Sequence, residues 1–281
     1  MDIFKIKSYA KINLALNVIG KKIKLHKIES LISFIDLHDL IYLKKVKKKD
    51  HKIIFKGKFS KNIGKINTVT NLFKLLDEKN LLNNQKFDIK IIKNIPQEAG
   101  MGGGSMNAAS LINFFFSQKI LKLKKNEIKK LTSQIGSDVI LGIKPTNTIL
   151  SHNGDIKKYH NNIKFYTLIV KPTFGCSTKY IYSKVRSFSK SQFSPPNKKM
   201  FEVEYLKNLN NDLENIAFKK YPKLKTIKSF LSNTSSNTFV RMSGSGSSIV
   251  AYFRSKRACG NAYGQFKRKF SGHWCIVSKT I

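Results

Sequence analysis

An α+β fold of two domains is what the sequence predicts, and three observations carry that expectation. Strand-like runs stand before and after the helical stretches, without the strict alternation that a parallel, doubly wound sheet requires. A glycine-rich loop joins one such run to an alanine-rich helical stretch. Towards the end, Thr238–Met242, Ser243–Gly246 and Ile249–Phe253 read as strand, tight turn and strand. The expected division puts an N-terminal domain at residues 1–158 and a C-terminal domain at 159–281.

In chain order, Ala10, Ile12, Leu14, Leu16 and Val18 alternate with Lys11, Asn13, Ala15 and Asn17, the period of a strand with one apolar face. Lys11 and Asn13 then point the same way. Phe87–Ile91 alternates likewise, and short helices are expected around Thr70–Glu78 and Lys125–Ile135. From Ser105 the pattern predicts a helix with Ser105 at or near its N-cap and Leu111, Ile112, Phe115 and Phe116 for the core. Phe165–Val170 reads as a strand that opens the second half, and Arg186–Lys199, with Pro195-Pro196, as a loop.

The chain has 281 residues and 41% hydrophobic content, enough for a sizeable core without staples. Cys176, Cys259 and Cys275 lack the spacing of a zinc site or a disulfide framework, which fits a reducing, cytoplasmic compartment. No run reaches the roughly 18 apolar residues of a membrane span, and Lys5, Lys7 and Lys11 interrupt any signal-peptide core. A soluble protein with no membrane partner is the expectation.

Basic residues number 53 against 16 acidic ones, and a net charge of +37 fits a polyanion partner. Arginine, however, stands only at Arg186, Arg241, Arg254, Arg257 and Arg268. Lysine spread beside abundant Ile and Asn follows from A/T-rich codons, and the arginine enrichment of nucleic-acid readers is missing. A solvated lysine-rich surface is favoured over a nucleic-acid-binding protein, and no specific nucleic acid is expected as a partner.

The richest segment is Pro96, Gln97, Glu98, Ala99, Gly100, Met101, Gly102, Gly103, Gly104, Ser105, Met106 and Asn107. Glycines let backbone amides approach a polyanion, and a following helix adds its unsatisfied N–H groups and positive dipole end. Four glycines in five residues are a costly way to build a plain turn. The phosphate-loop lysine is absent, and Ser105 stands where a dinucleotide loop needs its third glycine. A phosphate cradle of another kind is the reading.

Pro96-x-x-x-Gly100-Met101-Gly102-Gly103-Gly104-Ser105-x-Asn107-Ala108-Ala109 resembles the ATP-binding signature of the GHMP kinases. The likeness continues, in family order, through Ala10–Leu14, Ile135–Val139 and Met242–Gly246. Within the superfamily it is greatest to kinases of isoprenoid biosynthesis that act on a cytidine diphosphate-linked alcohol, through His26, Ser33–Asp39, Gly136–Val139, Asn211–Glu214 and Arg241–Gly244.

This resemblance implies a two-domain GHMP kinase fold with the active site in the cleft between domains, ATP as co-substrate and Mg2+. The molecule is expected as a monomer or homodimer. Asp138 becomes the general base for the acceptor hydroxyl and Lys11 its partner, able to hold the hydroxyl or a γ-phosphate oxygen. Pro96–Asn107 hold ATP, Asn13 positions the acceptor, His26 reads the cytosine edge and Tyr182 stacks on it. Taken singly, a lysine or an aspartate is more often a surface charge; the pattern reverses that reading. Ser105 offers Mg2+ a hydroxyl, and its other ligands stay unassigned.

Three departures stand out. Lys24-Leu25-His26 replaces the family's Gly-Tyr-His, leaving one aromatic ring over an aliphatic side chain and predicting weaker cytidine affinity. Ile140-Leu141-Gly142 replaces proline and aromatics after Val139, and Met106 a usual serine. Leu25 keeps open the alternative of a GHMP kinase with a different alcohol.

Overall fold

The structure is a computed structural model that describes residues 3–21, 23, 25–160 and 164–281. In chain order the strands and helices are β1 (Ile3–Lys21), β2 (His26–Val46), β3 (Lys52–Lys56), α1 (Thr68–Glu78), β4 (Lys86–Ile92), α2 (Gly103–Ser117) and α3 (Lys125–Ile135). There follow β5 (Asn147–Leu150), β6 (Ile156–Tyr159), β7 (Tyr166–Lys171), α4 (Thr178–Ser183), α5 (Val203–Lys207) and α6 (Glu214–Lys220). The chain ends with α7 (Pro222–Ser232), β8 (Asn237–Met242), β9 (Ile249–Phe253), α8 (Lys256–Lys269) and β10 (Trp274–Lys279). The mixed α+β order agrees with the sequence.

Two compact units form, each assembled from separated stretches of chain. The first comprises the chain up to Lys11, Leu37–Pro96 and Gly102–Pro145. In it Leu40–Val46 of β2 run antiparallel to β4, and β3 lies parallel on β4's other edge. The alternation read at Phe87–Ile91 turns Phe87, Ile89 and Ile91 to one face, where they meet Leu72 of α1 and Leu111 and Phe115 of α2 in one core. Helix α1 starts at Thr68 because Asn67 caps it, its Oδ1 accepting from the amides of Val69 and Thr70 at 3.0 and 3.1 Å.

The second unit comprises Ile12–Asp36, Gln97–Met101 and Thr146–Ile281. Its antiparallel sheet has the order β10-β7-β9-β8, and Leu168, Val170, Ile249 and Ala251 pack against Ile227 of α7 and Phe266 of α8. Ser30–Ile32 of β2 pair with β5, which pairs with β6. All three cysteines are free and buried; burial pushes the Cys176 thiol up to about 11 and that of Cys259 up to about 12. Both stay protonated and inert at neutral pH. No helix among the described residues is long and apolar enough to cross a membrane.

Strand β1 departs from a simple half-buried strand. Its apolar set is buried as expected, and Lys11, Asn13 and Asn17 on the other side are buried too. The reason is that each is met by a polar partner: Lys11 by Asp138, Asn13 by Ser30 and Asn17 by Glu29.

Candidate active site

In the first unit the approach to the glycine loop is held from below by a buried carboxylate. Asp39, on β2, accepts from the amides of Asn94 and Ile95 at 2.7 and 2.8 Å and pairs with the Lys93 ammonium. Asp39 is fully buried and Lys93 almost so. A desolvated pair of this kind keeps its place because two backbone amides share the carboxylate's charge. Neither residue was assigned a role from sequence; the available signal was a lysine that ends the alternating run of β4, where the period puts it on the buried face.

Helix α2 then begins earlier than predicted. Gly103, not Ser105, opens it; Ser105 is its third residue, and the cap is Gly102 in the left-handed conformation at φ 66°. No side chain caps the helix. The correction has a physical cause: Gly102 supplies a positive φ that serine adopts poorly, so the helix can start inside the glycine run. The first turn therefore presents main-chain amides with almost no side chain in front of them.

Lys11 lies across this turn, its Cγ only 3.1 Å from where a Gly102 Cβ would stand. Its Nζ reaches Asp138 Oδ2 at 3.3 Å, the lysine side chain 7% and the aspartate 36% exposed. Asp138 heads the 3₁₀ turn Val139–Gly142. Just before it Gly136 faces Ser105 Oγ and Thr68, each 3.8 Å from the position of a Cβ. One buried cation, one solvent-touched carboxylate, one hydroxyl and one uncapped helix end thus share a small region of the first unit. Such a set can hold an anion and accept a proton from a neighbouring hydroxyl.

In the second unit the earlier part of the loop is packed. Glu98, Ala99 and Gly100 offer their carbonyls to Ser247 N at 3.1 Å, Ser248 N at 3.3 Å and Ser243 Oγ at 2.9 Å. A Cβ on Gly100 would overlap the Ser243 carbonyl oxygen. Of the twelve residues assigned to ATP from sequence, Pro96, Ala99, Met101, Met106 and Asn107 are buried, whereas Gln97, Glu98 and Gly104 are exposed. Gly100, Gly102, Gly103 and Ser105 are partly accessible.

The three residues assigned to the acceptor also fall in the second unit. Asn13 donates from Nδ2 to Ser30 Oγ at 2.8 Å, and its amide donates to Ser243 Oγ at 3.2 Å. His26, at the start of β2, meets Tyr182 of α4 with ring centroids 5.3 Å apart and planes at 37°. Burial, followed by the charge of Lys21, lowers the His26 pKa from its ordinary 6.5, so the ring is neutral at physiological pH and can both donate and accept. Ser177 caps α4, its side-chain oxygen accepting from the Tyr180 amide at 3.3 Å. Leu25 is 69% exposed, and Lys24 lies outside the described residues.

Among the described residues no group of three or more His, Cys, Asp and Glu side chains could hold a metal ion. The Ser105 hydroxyl, beside Gly136, is the kind of oxygen that a Mg2+ carried chiefly by phosphate oxygens takes as a further ligand.

Comparison with known proteins adds to this geometry. The models "GHMP kinases N terminal domain" and "GHMP kinases C terminal" match residues 67–146 and 201–272. The chain is 68% identical over 281 residues to the 4-diphosphocytidyl-2-C-methyl-D-erythritol kinase of Pelagibacter ubique (strain HTCC1062), covering 100% of both. To the enzyme of the same name from Caldanaerobacter subterraneus subsp. tengcongensis it is 31% identical over 291 residues, covering 99% of this chain and 96% of that one. Among solved structures, a 4-(cytidine 5'-diphospho)-2C-methyl-D-erythritol kinase aligns with TM-score 0.80 at 20% identity over 99% of each chain. A homoserine kinase from Cytophaga hutchinsonii aligns at 0.73 and 16% identity, over 100% of this chain and 95% of that one. At those identities the solved structures speak for the fold alone.

Proposed function

The chain belongs to the GHMP kinases, and among them to the 4-diphosphocytidyl-2-C-methyl-D-erythritol kinases, and on that premise we propose that it transfers the γ-phosphoryl group of ATP to the 2-hydroxyl of 4-diphosphocytidyl-2-C-methyl-D-erythritol. This is a step of non-mevalonate isoprenoid synthesis, with the cytoplasm as its compartment. The observation that carries the mechanism is the Lys11–Asp138 pair beside the uncapped first turn of α2.

In this reading the amides of Gly103, Gly104 and Ser105 bind the phosphates, with the dipole of a 15-residue helix behind them. Asp138 takes the proton of the acceptor hydroxyl as its oxygen bonds to the γ-phosphorus and ADP leaves. Lys11 orients that carboxylate and offsets negative charge on the transferring group. Ser105 would hold the Mg2+ that travels with ATP, and the ion would supply charge neutralisation on the phosphates. His26 and Tyr182 take the cytosine, the neutral imidazole supplying one donor and one acceptor, and Asn13 orients the alcohol.

Two measurements test the reading. Purified protein given ATP should release ADP with the cytidine alcohol and not with homoserine or mevalonate in the same assay; the reverse preference refutes the acceptor. The second concerns Leu25, whose exposure leaves room for a larger ring. Leu25→Tyr should lower the KM for the acceptor by about threefold to tenfold, the worth of one added aromatic stack, and Tyr182→Leu should raise it by a similar factor. An unchanged KM in both variants would remove these positions from the cytidine site.

A further inference from the structure

We infer that Asn211, which lies outside the machinery assigned above, is a positioning residue for the phosphate loop and acts through the Ser243–Gly246 turn. The inference rests on the kinase reading and starts in the second unit, from which the chain passes after Met101 to Gly102 of the first.

Asn211 is anchored before it does anything. The Leu16 amide donates to Asn210 O at 3.1 Å and the Asp212 amide to Leu16 O at 2.9 Å, so residues 210–212 are tied to β1. Asp212 Oδ2 adds a bond from the Val18 amide at 2.7 Å. The Asn211 side chain is buried, and its Oδ1 accepts from the Leu213 amide at 3.0 Å, which fixes the orientation of the amide group. Both protons of Nδ2 are then spent on one turn: it donates to Met242 O and to Gly244 O, each at 2.8 Å.

That turn is the surface on which the loop is laid. Ser243 Oγ accepts from the Asn13 amide and donates to Gly100 O. Ser247 and Ser248 amides hold Glu98 and Ala99. Gly244 lies so close that a Cβ there would sit 3.4 Å from both Asn13 Oδ1 and Gly100 O. Gly100 is joined through Met101 to Gly102, the cap of the helix whose amides face the phosphates. Freed from Asn211, two buried carbonyls of the turn lose their donor, and the turn shifts to find others. The loop resting on it shifts with it, and a displacement near 1 Å is enough to spoil alignment for transfer.

The test compares Asn211→Ala and Asn211→Asp with Ile227→Val, a core truncation in α7 of the same unit. ADP release is followed against each substrate well below the melting temperature of each variant. Both Asn211 variants are expected to raise the KM for ATP about tenfold, roughly the binding lost with one hydrogen bond to a charged phosphate. The KM for the acceptor should stay within about twofold, since Ser30 holds the Asn13 side chain independently. Ile227→Val should lower the melting temperature and leave both constants alone, which a purely structural role for Asn211 would also predict for its own variants.

Asn211 variants that keep the wild-type KM for ATP overturn the inference. If neither folds, Ser243→Ala removes only the hydroxyl between the Asn13 amide and Gly100 O; it must raise the KM for ATP in the same way, and a wild-type value there overturns the inference equally. Should the wild type bind a non-hydrolysable ATP analogue yet release no ADP with the cytidine alcohol, the acceptor assignment fails. The Asn211 comparison is then read from the dissociation constant of that analogue, so the two failures are told apart.

Discussion

Asp138→Asn is expected to fold as the wild type does and to lose turnover by about a hundredfold to ten-thousandfold, the contribution of a positioned general base. The substitution changes one oxygen to an amide and keeps the shape. It removes the site that would take the hydroxyl proton and the counter-charge that Lys11 meets at 3.3 Å. Affinity for an ATP analogue should change far less than turnover, because the α2 amides and Lys11 remain. Single-turnover kinetics with both substrates separate the two quantities. A variant that keeps full turnover would end the assignment of Asp138 as the base, while leaving the phosphate cradle untouched.

Gly100→Ala should carry the largest cost in stability of any loop glycine, about 3 kcal/mol or more, from overpacking together with a side chain at positive φ. Gly100 holds φ +70°, and an added Cβ would overlap the Ser243 carbonyl oxygen and stand 3.2 Å from the carbonyl oxygen of Gly246. Both neighbours are main chain and cannot swing aside. Gly104→Ala is the matched control: its conformation is helical, and the nearest atom to its Cβ would be Thr68 Oγ1 at 3.0 Å. There the gain of alanine over glycine in a helix, about 1 kcal/mol, offsets much of the crowding. Urea unfolding of the two variants beside the wild type reads the difference. Equal stability would mean that the Glu98–Gly100 contacts with the Ser243–Ser248 segment are not held in solution.

The glycines of this run show how far the loop could be read in advance. Their composition marked a phosphate cradle, yet nothing in the run distinguishes Gly100, which is packed, from Gly102, which caps a helix. Ser105 misled for the same reason. Serine is a common cap, and its local preference was outweighed by a left-handed glycine three residues earlier. The Asp39–Lys93 pair escaped notice because neither residue's own surroundings point to the other; the pairing joins positions 54 apart. Tyr182 and His26 were selected by resemblance, and the ring contact between them comes from elements far apart in the chain.

Short-range chemistry is what the sequence by itself determined about this protein: the strand period of β1 and β4, the limits of α3, a glycine run opening into a helix, and a serine-glycine turn between two strands. Those features depend on neighbours a few residues away, and a linear string records them. Tertiary structure alone decided which main-chain groups those features would meet. Ser243 reaches Gly100 across 143 positions and Asn211 reaches Gly244 across 33, because buried carbonyls and amides must find partners wherever packing brings them. That demand is met only once the whole chain has folded, so no local pattern announces it.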